Sequence, residues 1–158
     1  MDITFKTDGA RFNLRAAAVI MNENKVLAMS DERSPYFYLP GGKIALGETA
    51  EEASLRELRE ELGIEAKVVR PLYIAQSFFT EEGSGENFHE ICFYILIDCS
   101  ETDLASRGKS FIIKERHHTL EFKWLDVADL ENEYFYPTFL RERMKKLPEG
   151  VEMITERR

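Results

Sequence analysis

The stretch that decides the fold runs from Gly41 to Ile64 and reads GGKIALGETAEEASLRELREELGI. Its second half carries every local signal of a helix. Thr49 can cap the first turn, and Glu52, three residues on, can reach back to close a capping box. Gly63 follows Leu62 where a helix ends in a left-handed residue. Leu55, Leu58 and Leu62 recur at helical spacing and fall within roughly 60° of one another, which makes them the buried stripe. Glu57, Glu60 and Glu61 form a second cluster about 140° away. Ala50 and Ala53 precede these glutamates on the same stripe, where small side chains would leave room for a ligand.

Three carboxylates at i, i+3 and i+4 repel one another, and each such pair costs a few tenths of a kcal/mol in a bare helix. Glu60 and Glu61 also sit at the end of the helix where the dipole disfavours negative charge. A divalent cation removes that cost, because Mg²⁺ takes oxygen ligands and completes its shell with water and phosphate oxygens. The other reading is a solvated face on which Arg56 and Arg59 pair with the acids, and the helix alone leaves both open. The preceding loop adds weight to the first. Pro40-Gly41-Gly42 permits close backbone approach, and Glu48 can bond backbone amides or Arg56 across the loop-helix turn.

Gly42 is followed at fixed distances by Glu48 and then by Arg56-Glu57-Leu58-Arg59-Glu60-Glu61-Leu62-Gly63-Ile64. This segment resembles the Nudix box, the signature of hydrolases acting on nucleoside diphosphates linked to another moiety, and it matches at every specified position. The resemblance extends weakly to the strand and hairpin before Leu39-Pro40-Gly41-Gly42, and to Trp124-Leu125 and Pro137 beyond. It implies an α/β (α+β) fold, a Nudix-like α/β/α sandwich with a mixed β-sheet. It implies that Glu57, Glu60 and Glu61 ligate Mg²⁺ or Mn²⁺, with the Gly41 carbonyl as a further ligand. Gly42, Glu48, Arg56 and Gly63 then brace the box. The reaction is attack by water at phosphorus, so no protein nucleophile is needed. The base is Glu57 or Glu60, or a carboxylate from a later segment: Glu90, Glu115 or Glu121, with Glu121 taken as the catalytic candidate.

Arg15 and Lys43 are candidates for steering phosphates, with a solvated surface role as the competing reading. Tyr36, Phe37, Tyr38, Phe78 and Phe79 could stack on a base, although core packing suits most of them better. His89 continues an apolar face as a core histidine, and His117 and His118 sit in an exposed loop. The secondary motifs that mark Nudix enzymes for ADP-ribose, dinucleoside polyphosphates, NADH or coenzyme A are absent. The expected partner is a small-molecule nucleotide, and a homodimer is compatible with the sequence. The alternative function is a Nudix-fold domain that binds a nucleotide without cleaving it, but such a domain would be expected to lose box carboxylates.

The remaining composition agrees. A chain of 158 residues, 44% hydrophobic and 32% charged, suits one globular domain spanning residues 1–158. No apolar run approaches the length of a membrane helix, and the N-terminus lacks signal-peptide character. The formal charge of −8 repels a phosphate backbone and argues against nucleic acid as a partner. Cys92 and Cys99 end one apolar strand, out of disulfide reach, so two reduced thiols and a cytoplasmic location are expected. Strands are expected at residues 13–21, 26–29, 36–39, 64–80 with a break at Pro71, 88–98 and 121–125. Beyond the box helix, a short helix is expected near 126–130 and another from Pro137 to about Lys146. Residues 99–110 read as a polar loop, and residues 1–12 and 149–158 match no part of the family pattern.

Overall fold

The computed structural model describes residues 1–158. The strands are β1 (Thr4–Thr7), β2 (Ala10–Asn22), β3 (Lys25–Asp31), β4 (Ser34–Tyr38) and β5 (Gly41–Lys43) before the helix α1 (Ala50–Leu62). They continue as β6 (Lys67–Thr80), β7 (Asn87–Asp98), β8 (Ser110–Lys114) and β9 (Thr119–Asp126). A short helix α2 (Phe139–Arg143) and β10 (Glu152–Arg157) close the chain. The ten strands form one sheet in the order β10-β6-β7-β2-β3-β9-β8, with β1 and β5 added to β2 and β4 added to β3. β2 runs parallel to β7 and β10 parallel to β6, while the other pairs are antiparallel, so the sheet is mixed as expected.

β2 is where the sheet divides. Its residues Ala10 to Ile20 pair with β7, and Arg15 to Ala17 also pair with β5 on the other side. Only Met21 and Asn22 reach β3. The two halves of the sheet therefore splay apart from a narrow junction and leave a cleft between them. α1 covers one face, where Leu58 and Leu62 pack with Ile95, Phe122 and Trp124. On the other face Phe135, Leu140 and Met144 pack with Leu72, Tyr73 and Tyr94. β7 supplies side chains to both layers, so it is covered on both sides as its sequence predicts.

α1 forms as its caps dictate. The Thr49 side chain accepts from the Glu52 amide at 3.0 Å, the Glu52 carboxylate accepts from Thr49, and Gly63 ends the helix at φ 66°. Two details differ from expectation. Leu55 is only half-buried, and Ala53 with Ser54 takes a fully buried position. Ala53 packs on Ala16 and Ile44, so at that position the small residue brings the helix close to the sheet and leaves no room for a ligand. Ala50, a turn earlier, lines a small cavity with Leu14 and Phe93 that none of Glu57, Glu60 and Glu61 reaches.

The ends of the chain depart furthest from the sequence reading. Residues 4–7 pair with Ala10–Asn13 as a hairpin, and the tail becomes β10, an edge strand parallel to β6. The polar segment 99–110 holds a 3₁₀ turn at Leu104–Arg107, whose Leu104 is buried, and ends in the first residue of β8. The last antiparallel strand starts at Thr119, the helix after it is a 3₁₀ turn at Val127–Asn132, and the C-terminal helix is confined to Phe139–Arg143. No helix is long and apolar enough to cross a membrane. The two cysteines are free.

Ile154 of β10 is buried in the core layer with Tyr73 and Tyr94. Ile154→Ala should therefore lower the unfolding free energy by about 2–4 kcal/mol, the cost of a buried aliphatic truncation, as read by urea denaturation. An unchanged midpoint would mean that the terminal strand does not contribute to the fold.

Candidate active site

Arg56 organises the segment between β5 and α1. Its Nε donates to Glu48 Oε2 at 2.7 Å and its Nη2 to Glu48 Oε1 at 2.9 Å. Nη2 also reaches the Lys43 carbonyl at 3.1 Å, and Nη1 reaches Glu57 Oε1 at 3.0 Å and Glu60 Oε2 at 3.3 Å. Glu48 Oε1 accepts in addition from the Ala45 amide at 3.0 Å. This is a bidentate fork closed by backbone bonds, the geometry for which guanidinium is suited and ammonium is not. Glu48 and Arg56 are thereby hydrogen-bonded to each other across the loop-helix turn.

The glycines serve the same assembly. A Cβ on Gly42 would land on the Glu57 carboxylate, and one on Gly41 would strike the Ala16 carbonyl across the β2–β5 pair. Residue 42 must lack a side chain for Glu57 to lie against the backbone there.

Glu57 and Glu61 face the same space. Burial pushes the Glu57 carboxyl up. Burial, then the charge of Glu57 and of Glu115, pushes Glu61 up to about 9. Oε2 of Glu61 is buried and meets no donor. An oxygen in that position is satisfied by a proton held between the two carboxyls or by a cation. Glu60 shares Arg56 Nη1 with Glu57, at the longer distance, and differs in being more than half exposed. No group of three Asp, Glu, His or Cys side chains converges closely enough to hold an ion in this arrangement. The donor chemistry nevertheless fits a hard divalent cation, since the orphaned Glu61 oxygen, Glu57 and the mobile reach of Glu60 offer only carboxylate oxygen.

A cleft of about 700 Å³, within the range of small-molecule sites, has none of the box glutamates in its lining and meets them through Arg15, on which the charge of Glu57 acts. Arg15 and Lys43 sit opposite each other on β2 and β5 and both line it. Burial alone would lower the pKa of Arg15, but the charges of Glu90 and Glu57 outweigh it and hold the guanidinium firmly charged. Arg15 forms no direct ion pair, which leaves its donors free for a ligand. Tyr36, Tyr38 and Phe79 also line the cleft. Phe37 packs against the core and Phe78 lies on His89 at 4.4 Å between ring centres. His89 is exposed rather than a core residue.

The later carboxylates separate by position. Glu115, in the turn between β8 and β9, is close enough for its charge to act on Glu61. That turn is tied down by His118, whose Nδ1 lies 2.8 Å from Glu32 Oε1. Glu90 lines the cleft and accepts from Asn13 Nδ2 at 2.8 Å. Glu121 is exposed on β9 between Leu120 and Phe122, which are buried in the layer facing α1, so it points to the opposite face. The structure brings Arg15, Lys43, Gly41, Gly42, Glu57 and Glu61 together and leaves Glu121 apart. Cleft residues that the sequence does not single out include Arg11, Arg33, Asn13, Ser77, Tyr136, Glu156 and Arg158. The last two arrive through the parallel pairing of β10 with β6, which leaves no local signal in the sequence.

Comparison with known proteins identifies the family. The model of the NUDIX domain matches residues 11–147, and the chain belongs to the Nudix family. An ADP-ribose pyrophosphatase of Methanocaldococcus jannaschii is 43% identical over 53 residues, which are 32% of this chain and 31% of that protein. An 8-oxo-dGTP diphosphatase of Escherichia coli is 43% identical over 54 residues, 31% of this chain and 42% of that protein. These matches span well under half the length of either relative. Among solved structures, an ADP-ribose pyrophosphatase from Streptococcus suis superposes with a TM-score of 0.58 at 16% identity, covering 89% of this chain and 98% of that one; the likeness is one of fold.

The brace has a pH signature. The Arg56 hydrogen bonds hold Glu48 down to about 2 from an ordinary 4.5, with the Ala45 amide assisting. A depressed carboxyl stabilises the folded state above its unfolded value and loses that contribution as pH falls toward the folded one. Glu48→Gln should therefore lower stability by about 1–2 kcal/mol at neutral pH. It should also flatten the decline of melting temperature between pH 4.5 and 2, as followed by circular dichroism. Parallel acid profiles for the two proteins would contradict the brace.

Proposed function

We propose that the protein is a divalent-metal-dependent pyrophosphohydrolase that cleaves a phosphoanhydride bond of a small nucleotide, a nucleoside diphosphate linked to another moiety. The observation that carries this reading is the half-buried pair Glu57 and Glu61, whose Glu61 Oε2 is buried without a partner, near the Arg15 and Lys43 end of the cleft. The names of the relatives, ADP-ribose pyrophosphatase and 8-oxo-dGTP diphosphatase, bring two substrate types to consider, both nucleotides with a phosphoanhydride.

Glu57, Glu60 and Glu61 would hold Mg²⁺ or Mn²⁺ with the Gly41 carbonyl, Glu60 leaving Arg56 to do so. When bound, such an ion would supply charge neutralisation at the phosphates and a lowered pKa for the attacking water. Arg15 and Lys43 orient the phosphate oxygens from the β2–β5 edge. Glu115 is the carboxylate outside the helix best placed to accept a proton, and its position favours it over Glu121. Arg56 acts by keeping the β5–α1 segment in register. The retained set of box carboxylates favours hydrolysis over a domain that only binds.

The test is a phosphate-release screen over nucleoside triphosphates, nucleotide sugars, dinucleoside polyphosphates and ADP-ribose. Pyrophosphatase is the coupling enzyme for the triphosphates and alkaline phosphatase for the others. Metal-dependent release is expected from at least one, with Mg²⁺ raising the melting temperature by mass action. Glu60→Gln should cut turnover at least about 100-fold while the protein stays folded. Silence across the panel together with no effect of Mg²⁺ or Mn²⁺ on melting would overturn the assignment.

A further inference from the structure

The floor of the cleft is ordered in rows that cross the strands. One row runs Thr4, Asn13, Glu90, Ser77, Glu156 over β1, β2, β7, β6 and β10, each residue directly opposite the next. Thr4 Oγ1 donates to Asn13 Oδ1 at 2.6 Å and Asn13 donates to Glu90. At the far end Ser77 Oγ donates to Glu156 Oε1 at 3.2 Å. Glu156 is 9% exposed, lines the cleft, and receives no other side-chain hydrogen bond and no ion pair. A carboxylate can accept about four hydrogen bonds. Oε1 of Glu156 is held by Ser77, and its Oε2 is not among the buried oxygens without a partner, so it opens to the cleft, where a ligand's donor can meet it.

Its position relative to the phosphate-steering residues is informative. Arg15 lies two residues along β2 from Asn13, and Glu156 lies three strands across from Asn13. Strand spacing and rise put the two backbones roughly 16 Å apart. An extended nucleotide whose phosphates meet Arg15 would carry its sugar past Glu90 and its base to Glu156. The neighbouring row supplies flat surfaces: Phe79 and Phe88 stack at 5.1 Å, and the Arg158 guanidinium bridges Phe79 at 4.8 Å and Tyr136 at 5.8 Å. Because these groups stack on one another, they give the base a flat apolar wall that does not choose among bases. The choice falls to the carboxylate.

A carboxylate offers only acceptors, so it selects an edge with adjacent donors. Guanine presents N1–H beside its 2-amino group. Adenine and cytosine each present one amino donor beside a ring-nitrogen acceptor, which would face the second oxygen with a lone pair. Uracil presents a single N–H between two carbonyls. We infer that Glu156 reads the N1–H and 2-amino edge of a guanine-type base, so that the cleft takes guanine nucleotides in preference to adenine nucleotides. This rests on the nucleotide reading of the site given above. Guanine and 8-oxoguanine share that edge, and the substituent at C8 is a separate matter for the cleft walls.

The test measures binding by calorimetry on the whole protein without metal, using GMP, AMP, IMP and 8-oxo-GMP, alongside turnover of GTP and ATP with Mg²⁺. GMP should bind at least about 10-fold more tightly than AMP, because a site built for donors rejects an edge that leaves its oxygens unpaired. IMP, which keeps N1–H and lacks the 2-amino group, should fall between them in the unaltered protein, a comparison that needs no variant to fold. Tighter binding of 8-oxo-GMP than of GMP would identify the oxidised base as the source of the edge, and the reverse would identify the ordinary one. Glu156→Gln presents one acceptor and one donor, so it should erase the preference for GMP and hold or raise affinity for AMP. Equal affinities, no binding of any monophosphate, or a preference that survives Glu156→Gln would overturn the inference. Guanine preference in binding with no hydrolysis of any nucleotide would instead overturn the hydrolase reading and leave Glu156 as the base reader.

Discussion

The Arg56 guanidinium is the interaction on which the site depends. Its planar fork takes both oxygens of Glu48, the Lys43 carbonyl and two of the helix carboxylates at once. By spanning the loop it fixes where β5 ends relative to the first turns of α1. That placement sets Gly42 directly under Glu57, where no side chain fits. The same cation offsets part of the repulsion among Glu57, Glu60 and Glu61, which a bare helix would suffer. Lysine could supply the charge but not the geometry, since a point charge cannot hold five partners in one plane.

The second constraint is the splay of the sheet at β2. A long strand that pairs with β7 over most of its length and with β3 at two residues cannot keep both halves coplanar. The space between them becomes the cleft, and the alternation of β2 and β7 sends Asn13, Arg15, Glu90 and Cys92 into it. The chain carries a formal charge of −8, yet Arg11, Arg15, Arg33, Lys43 and Arg158 all line this one cavity. Net charge governs long-range encounter, whereas a ligand inside a cleft responds to the groups within a Debye length. An anionic nucleotide is therefore compatible with an anionic protein.

Much of the local structure was legible because its causes are local. The capping box at Thr49 and Glu52, the stop at Gly63 and the alternation along Phe88–Asp98 each involve residues a few positions apart. What was illegible depends on partners far along the chain. The tail lacks a strong strand pattern of its own and becomes β10 because β6 has an open edge to receive it. Residues Thr4–Thr7 likewise become a strand by folding back on β2. Ala53 shows the limit within a well-read helix: its small size suggested room for a ligand, but the sheet comes up to meet it. His89 shows the reverse, an apparent core position left exposed because that end of β7 extends beyond the covering layers.

By itself the sequence determined the box helix, the register of Glu48, Arg56, Glu57, Glu60 and Glu61, and a nucleotide-hydrolase reading. It could do so because hydrogen-bond caps and helical periodicity act over a few residues and are written in order along the chain. The assembled fold settles that Glu61 is drawn in beside Glu57 while Glu60 stays in solvent, that Glu115 approaches Glu61 while Glu121 faces away, and that Glu156 enters the cleft from the tail. Those outcomes follow from which strands become neighbours and which side of the sheet each residue faces. Burial and cross-strand pairing, between residues as distant as Ser77 and Glu156, are properties of the assembled sheet and of no single segment in it.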